Sequence, residues 1–133
     1  LISKMRSSEI YTSDILLERV LYNLGKNAIV YNKDGGQVVF DLAEDEGNYF
    51  IYVRDTGLGI DEEEKEKVFD LFYRVDESRN KKTGGYGIGL NLVKNIVEKL
   101  GGQVLIRDNL NENNEMRGSI FEVRLPKSKE ETL

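Results

Sequence analysis

Between residues 12 and 31 the apolar side chains Leu17, Leu21, Leu24, Ala28 and Tyr31 recur every three or four positions, with Val20 beside them. That is the period of a helix with one buried face. Thr12 or Ser13 is placed to cap its start, Asp14 suits the positive end of its dipole, and Asn32-Lys33-Asp34-Gly35-Gly36 stops it. Residues 37–43 and 48–54 are rich in Val, Ile, Phe and Tyr and flank the acidic turn Glu44-Asp45-Glu46-Gly47, which predicts a β-hairpin. A glycine turn, residues 55–60, follows directly, and residues 61–68 predict a short, charged surface helix. Phe69, Leu71, Phe72 and Tyr73 then form an aromatic knot in which Phe69 and Phe72 are expected to anchor the core. Residues 74–83 are polar and basic without periodicity, the pattern of a mobile loop.

The glycine-dense stretch 84–89 opens a second long helix that runs through Leu100, with Val93, Ile96, Val97 and Leu100 on its buried face and Gly101-Gly102 at its end. Residues 103–107 and 119–125 predict a final strand pair, separated by the polar stretch 108–118. The order helix, hairpin, helices, hairpin fits an α+β two-layer sandwich, with helices on one face of a mixed, largely antiparallel sheet.

At 133 residues the chain suits a single domain with one real core. Its apolar runs are far shorter than the roughly 20 residues of a membrane-spanning helix. The sequence holds no cysteine and no histidine, which removes disulfides, thiolate metal sites and imidazole chemistry. Catalysis must then use carboxylates, amides, lysines, arginines or backbone groups. The net charge of -5 argues against a general nucleic-acid or anionic-membrane surface, so a phosphate ligand needs a local cation or a metal. The chain starts at Leu1 without a signal-peptide pattern and is expected to be a piece of a longer protein.

Asn23 and Asn27, four apart, project from one face of the first helix. An amide oxygen is a hard, neutral ligand suited to Mg²⁺ that already carries phosphates, although a solvated helix surface accounts for the same pair. Asp55-x-Gly57-x-Gly59 comes at a strand end, where glycine lets the backbone approach a ligand and a carboxylate can accept from an exocyclic amine such as that of adenine; an ordinary turn is the competing account. The run Gly84-Gly85-Tyr86-Gly87-Ile88-Gly89 leads into a helix, so free N–H groups and the helix dipole can meet phosphate oxygens. Arg74, Arg79, Lys81 and Lys82 form a cationic cluster that can neutralise a γ-phosphate or simply be solvated.

In order and spacing, Asn23-Leu24-x-x-Asn27-Ala28, Asp55-x-Gly57-x-Gly59-Ile60, Phe69-x-x-Phe72-Tyr73-Arg74 and Gly85-Tyr86-Gly87-Ile88-Gly89-Leu90 resemble the N box, first glycine box, F box and second glycine box of sensor histidine kinases. The ending Gly118-Ser119-x-Phe121 and Leu125-Pro126 is similar to that family's last strand. The resemblance covers residues 12 to 126 and implies the Bergerat ATP-binding fold shared with gyrase, mismatch-repair and heat-shock chaperone ATPases. It further implies that Asn27 ligates Mg²⁺, that Asn23 supports the phosphates or the metal, and that Asp55 takes the adenine amino group. Gly57, Gly59 and Ile60 would shape the adenine pocket and Tyr31 would stack near the base. Gly85, Tyr86, Gly87, Ile88, Gly89 and Leu90 would border the phosphates, and Ser119 would reach adenine through water. Arg74 and Arg79 would act on the γ-phosphate.

By the same resemblance, the domain transfers the γ-phosphoryl group of Mg-ATP to a histidine on a separate dimerisation domain of a parent kinase, which then serves a response regulator. The domain itself is expected in the cytoplasm, contacting neither membrane nor nucleic acid. Two departures stand out. Val30 occupies a position where the family commonly has lysine or histidine, and the stretch before the first helix is short, so an edge strand is expected to be incomplete. Val30 keeps open a nucleotide-sensing module without transfer activity. The related hydrolases carry a glutamate where this chain has Asn23, an amide that cannot take a proton, which favours the kinase branch over an ATPase.

Overall fold

The computed structural model describes residues 7–73 and 89–127. Helix α1 (Ser7–Val30) starts earlier than the sequence period predicts. No glycine or proline interrupts residues 7–12, and Ser and Thr are only mildly disfavoured inside a helix. Thr12 and Ser13 therefore lie within α1 and do not cap it. Leu17, Val20, Leu24 and Ala28 are buried, with Leu21 and Tyr31 half-buried beside them. Beyond Val30 the chain reverses around Asn32, whose Nδ2 donates to the Gln37 carbonyl at 2.9 Å and whose Oδ1 accepts from the Lys33 N–H at 2.9 Å.

Strands β1 (Val38–Glu44) and β2 (Asn48–Asp55) form the expected hairpin, in register from Val38 opposite Asp55 to Glu44 opposite Tyr49. Asp45 closes its turn by accepting from the N–H groups of Gly47 and Asn48 at 2.9 and 2.8 Å. Alternation along β2 buries Tyr49, Ile51, Val53 and Asp55.

Helix α2 (Gly89–Lys99) ends where the Gly101 and Gly102 N–H groups donate to the carbonyls of Glu98 and Val97, each at 2.9 Å. Strands β3 (Gln103–Leu110) and β4 (Met116–Pro126) are longer than predicted. Most of the polar stretch 108–118 belongs to them, because Asn111 organises a short turn by itself: its Oδ1 accepts from the Asn113 and Glu115 N–H groups at 2.9 and 3.0 Å. The sheet order is β1-β2-β4-β3, and every pairing is antiparallel, so the mixed character expected of the sheet is absent among the described residues.

Both helices lie on one face of this sheet, where Val20, Leu24, Val93 and Val97 meet Ile51, Val53, Phe121 and Val123. Each such side chain contributes about 1.5 to 3 kcal/mol when fully buried. Residues 61–68 do not make one helix. Four consecutive acidic side chains give it no apolar face, and the segment folds as two 3₁₀ turns, Glu62–Glu64 and Lys67–Phe69, with Val68 and Phe69 buried. Phe69 sits edge-on to Phe121 with ring centres 6.3 Å apart, and its carbonyl accepts from Asn91 Nδ2 of α2 at 3.0 Å.

Phe72 corrects an expectation. The turn after Asp70 puts it in the left-handed region at φ 66°, and it is 64% exposed, with Leu71 exposed beside it, so Phe69 alone of the aromatic pair anchors the core. The expected mobile loop at 74–83 lies outside the described residues. At the other side of the sheet, the helix-facing Phe40 and Leu42 of the edge strand β1 stay exposed. No helix among the described residues is long and apolar enough to cross a membrane.

Candidate functional site

The β2–β4 ladder runs from Asn48 opposite Pro126 to Arg54 opposite Ile120, which brings Asp55 at the end of β2 beside Ser119. Asp55 is buried, at 6% exposure. Its Oδ1 accepts from the N–H groups of Gly57 and Ser119 at 3.0 and 3.1 Å. Among the described residues nothing donates to Oδ2. Burial pushes the pKa of this carboxyl above the ordinary 3.8, and the Gly57 and Ser119 N–H groups hold part of the rise back. The result is a buried carboxylate with one oxygen fixed by the backbone and the other left as an acceptor.

Close backbone approaches on both sides hold the turn. A Cβ on Gly57 would lie 2.3 Å from the Tyr31 carbonyl oxygen at the end of α1, and the Leu58 N–H donates to that same oxygen at 3.3 Å. A Cβ on Gly118 would lie 1.9 Å from the Asp55 carbonyl oxygen. Gly59 follows at φ 74°, and Ile60 packs half-buried against the core. Tyr31 is half-buried at this corner.

The amide pair lies on α1 four and eight residues before Tyr31, so it follows the same side of the helix. Asn23 Nδ2 donates back to the Arg19 carbonyl at 2.8 Å, and a Cβ on Gly89 would lie 2.9 Å from Asn23 Oδ1. The first helix and the end of the glycine run therefore meet at Asn23. Asn27 lies one turn further on and is half-buried; its carbonyl accepts from the Tyr31 N–H at 3.1 Å, and its side-chain amide has no hydrogen-bond partner among the described residues. Val30 lies on the same flank, half-buried and without charge. Leu90 packs against the core from the first turn of α2. Among the described residues there is no group of three acidic side chains able to hold a metal ion. Arg74, Arg79, Gly85, Tyr86, Gly87 and Ile88 lie outside the described residues.

The structure adds two residues that sequence reasoning missed. Thr56 is buried, and its Oγ1 accepts from the Gln37 N–H at 2.8 Å and donates to Asn32 Oδ1 at 3.3 Å, tying the Asp55 turn to the end of α1. Asn109 reaches from β3 to donate its Nδ2 to the Asp55 carbonyl at 2.8 Å. Neither carries a local signal: Thr56 stands inside a motif read for its glycines, and Asn109 is 54 positions from its partner. The backbone N–H of Ser119, the residue expected to reach adenine through water, donates to the Asp55 carboxylate at 3.1 Å.

Several known proteins are similar to this chain in sequence and fold. The sensor protein CiaH of Streptococcus pneumoniae is 40% identical over 116 residues, which are 87% of this chain and 25% of that protein, so the chain spans about a quarter of the relative it matches. The mycobacterial sensor histidine kinase MprB superposes with a TM-score of 0.71 at 29% identity, covering 84% of this chain and 70% of that one. Full-length ShkA in complex with AMPPNP superposes with a TM-score of 0.67 at 27% identity, covering 84% of this chain and 21% of that one. Residues 12–129 match the family described as histidine kinase-, DNA gyrase B- and HSP90-like ATPases, and this chain, with its buried strand-end carboxylate and its amide-bearing helix, belongs to that family.

Proposed function

We propose that the domain binds ATP between α1, the Asp55 turn and the head of α2, and passes the γ-phosphoryl group to a histidine on a separate helical domain of a parent sensor kinase. The observation that carries this is Asp55. With Oδ1 held by two backbone N–H groups, Oδ2 is the oxygen that takes the adenine amino group. Gly57, Gly59 and Ile60 line the base, Tyr31 stacks near it, and Ser119 holds the carboxylate. AMPPNP in the similar ShkA supports the choice of nucleotide.

The donor set suits Mg²⁺, since Asn27 offers an amide oxygen without a partner among the described residues to a cation that prefers hard oxygen ligands. When bound there, Mg²⁺ would neutralise charge on the phosphates. Asn23, against Gly89, supports the phosphate side, and Gly85, Tyr86, Gly87, Ile88 and Leu90 complete its border. Arg74 and Arg79 stabilise the γ-phosphate in place of the cation that Val30 does not supply. In the reaction an imidazole nitrogen forms a bond to the γ-phosphorus while the bond to the β-bridging oxygen breaks, and ADP leaves. A neutral imidazole needs no strong base, and Asn23 supplies none, so this domain acts through positioning and charge neutralisation.

The chain has no histidine, so the acceptor is elsewhere in the parent, on its dimerisation domain, from which a response regulator receives the phosphoryl group. Dependence on ATP puts the domain in the cytoplasm. Labelled ATP and Mg²⁺, incubated with this domain and the parent's histidine-bearing helical hairpin, should label the hairpin. Nucleotide binding without label on the hairpin would favour a sensing module, the reading that Val30 supports, and release of free phosphate would favour a hydrolase.

A further inference from the structure

The register between β3 and β4 shifts between Asp108 and Leu110, a bulge that carries Asn109. In a regular strand Asp108 and Asn109 would face opposite sides of the sheet. Here both reach the same loop. Asn109 Nδ2 donates to the main-chain oxygen of Asp55 at 2.8 Å, and Asp108 Oδ1 accepts from Lys65 Nζ at 2.9 Å. Asp55 opens the adenine loop and Lys65 closes it, so two successive residues of one bulge hold both ends of a segment that contains Gly57, Gly59 and Ile60.

The Asn109 tie does what the ladder cannot. Pairing between β2 and β4 stops at Arg54 opposite Ile120, and the Asp55 carbonyl lies just past it. A buried carbonyl left there without a donor would tend to turn towards one, and the carboxylate on the same residue would turn with it. The second tie is firm as well: the Lys65 side chain is only 13% exposed, and it also bonds Glu62 Oε2 at 2.7 Å. Its ammonium is held above the usual lysine range by the Glu62 hydrogen bond first and by Asp108 next, against the opposing effect of burial.

We infer that the β3 bulge is a two-point clamp on the adenine loop, with Asn109 the positioning residue that aims the Asp55 carboxylate at the base. This rests on adenine recognition by Asp55. Loss of the clamp should blur the choice of base more than it weakens the fold, because the side-chain bonds of Asp108 and Asn109 go to the loop.

The test compares the affinity of the whole chain for ATP and for the triphosphate of unsubstituted purine riboside, which lacks the exocyclic amine, by calorimetry. Asn109→Ala and Lys65→Gln should each reduce the preference for ATP by about three- to tenfold, the equivalent of roughly one hydrogen bond. Affinity for the amine-free analogue should change much less. Asn109→Asp, which keeps the shape but sets an acceptor against the carbonyl, should lose at least as much preference as Asn109→Ala. Lys65 lies in a surface turn, so Lys65→Gln decides the matter even if the Asn109 variants fail to fold. Asp55→Asn separates the two layers of inference: if it leaves the preference intact, the base is not read by Asp55. If it abolishes the preference while either clamp variant that folds keeps the wild-type ratio, the clamp is overturned and Asp55 stands.

Discussion

Replacing Asp55 with Asn tests the centre of the site with the smallest change in shape. The amide oxygen can still accept from the Gly57 and Ser119 N–H groups, now 3.0 and 3.1 Å from Oδ1, so the turn keeps its frame. What changes is the other atom: an acceptor becomes an NH₂ that faces the adenine amine, donor against donor. Leaving that amine unpaired costs about 1 to 3 kcal/mol, or roughly five- to a hundredfold in affinity at about 1.4 kcal/mol per factor of ten. Stability should move the other way. Burial raises the Asp55 pKa above 3.8, so the folded state holds this proton more tightly than the unfolded chain. Between the unfolded pKa and the raised one, the native state binds more protons, and stability falls as pH rises through that window. At neutral pH the wild type carries the full penalty of a buried charge, which the Asn variant lacks. Calorimetry should show weaker ATP binding. Without nucleotide, thermal unfolding at neutral pH should give a midpoint no lower than that of the wild type, and the variant's advantage should disappear in acid. Unchanged ATP affinity, or a variant that unfolds earlier at neutral pH, would refute the reasoning.

Gly118→Ala would put a methyl group 1.9 Å from the Asp55 carbonyl oxygen, so denaturant unfolding should show a loss of about 3 kcal/mol or more, and a loss below about 1 kcal/mol would show that the strand end yields easily. Asn27→Ala should weaken Mg-ATP binding while leaving metal-free ADP binding nearly unchanged; equal losses in calorimetry would point to damage to the fold and away from a metal ligand. Val30→Lys places a cation on the flank that carries Asn23 and Asn27, and should tighten ATP relative to ADP in a salt-dependent way, whereas an unchanged ratio would mean that this flank does not face the γ-phosphate.

What was legible in the sequence was local. Asp55 and Gly57 stand two apart at a strand end, and the carboxylate does bond the Gly57 N–H. Asn23 and Asn27 share a helix face because four residues are about one turn. Leu17, Val20, Leu24 and Ala28 are buried as their period requires. What escaped was set by partners far along the chain. Asn109 sits in a polar stretch that gives no strand period, and only the pairing of β3 with β4 carries it to Asp55. Lys65 and Asp108 read as two unrelated surface charges until the same pairing joins them. Phe72 misled for the opposite reason. An aromatic knot suggests that its large rings are buried together, but the turn after Asp70 puts Phe72 in the left-handed region and leaves it exposed.

A physical reason connects these successes and failures. Residues that touch a ligand must offer particular atoms, so their types betray them even when the fold is unknown. Residues that aim those atoms need only one suitable donor at the right distance, and many residue types and positions supply one. Asp55 shows both layers in a single side chain. Its carboxylate was singled out from chemistry, but the bonds around it come from Ser119 of β4 and Gly57 of its own turn to the carboxylate, and from Asn109 of β3 to the main-chain oxygen. Two N–H groups from separate segments hold one oxygen of the carboxylate and Asn109 holds the main-chain oxygen of the same residue, and under the proposed reading that rigidity would let the other carboxylate oxygen discriminate between bases.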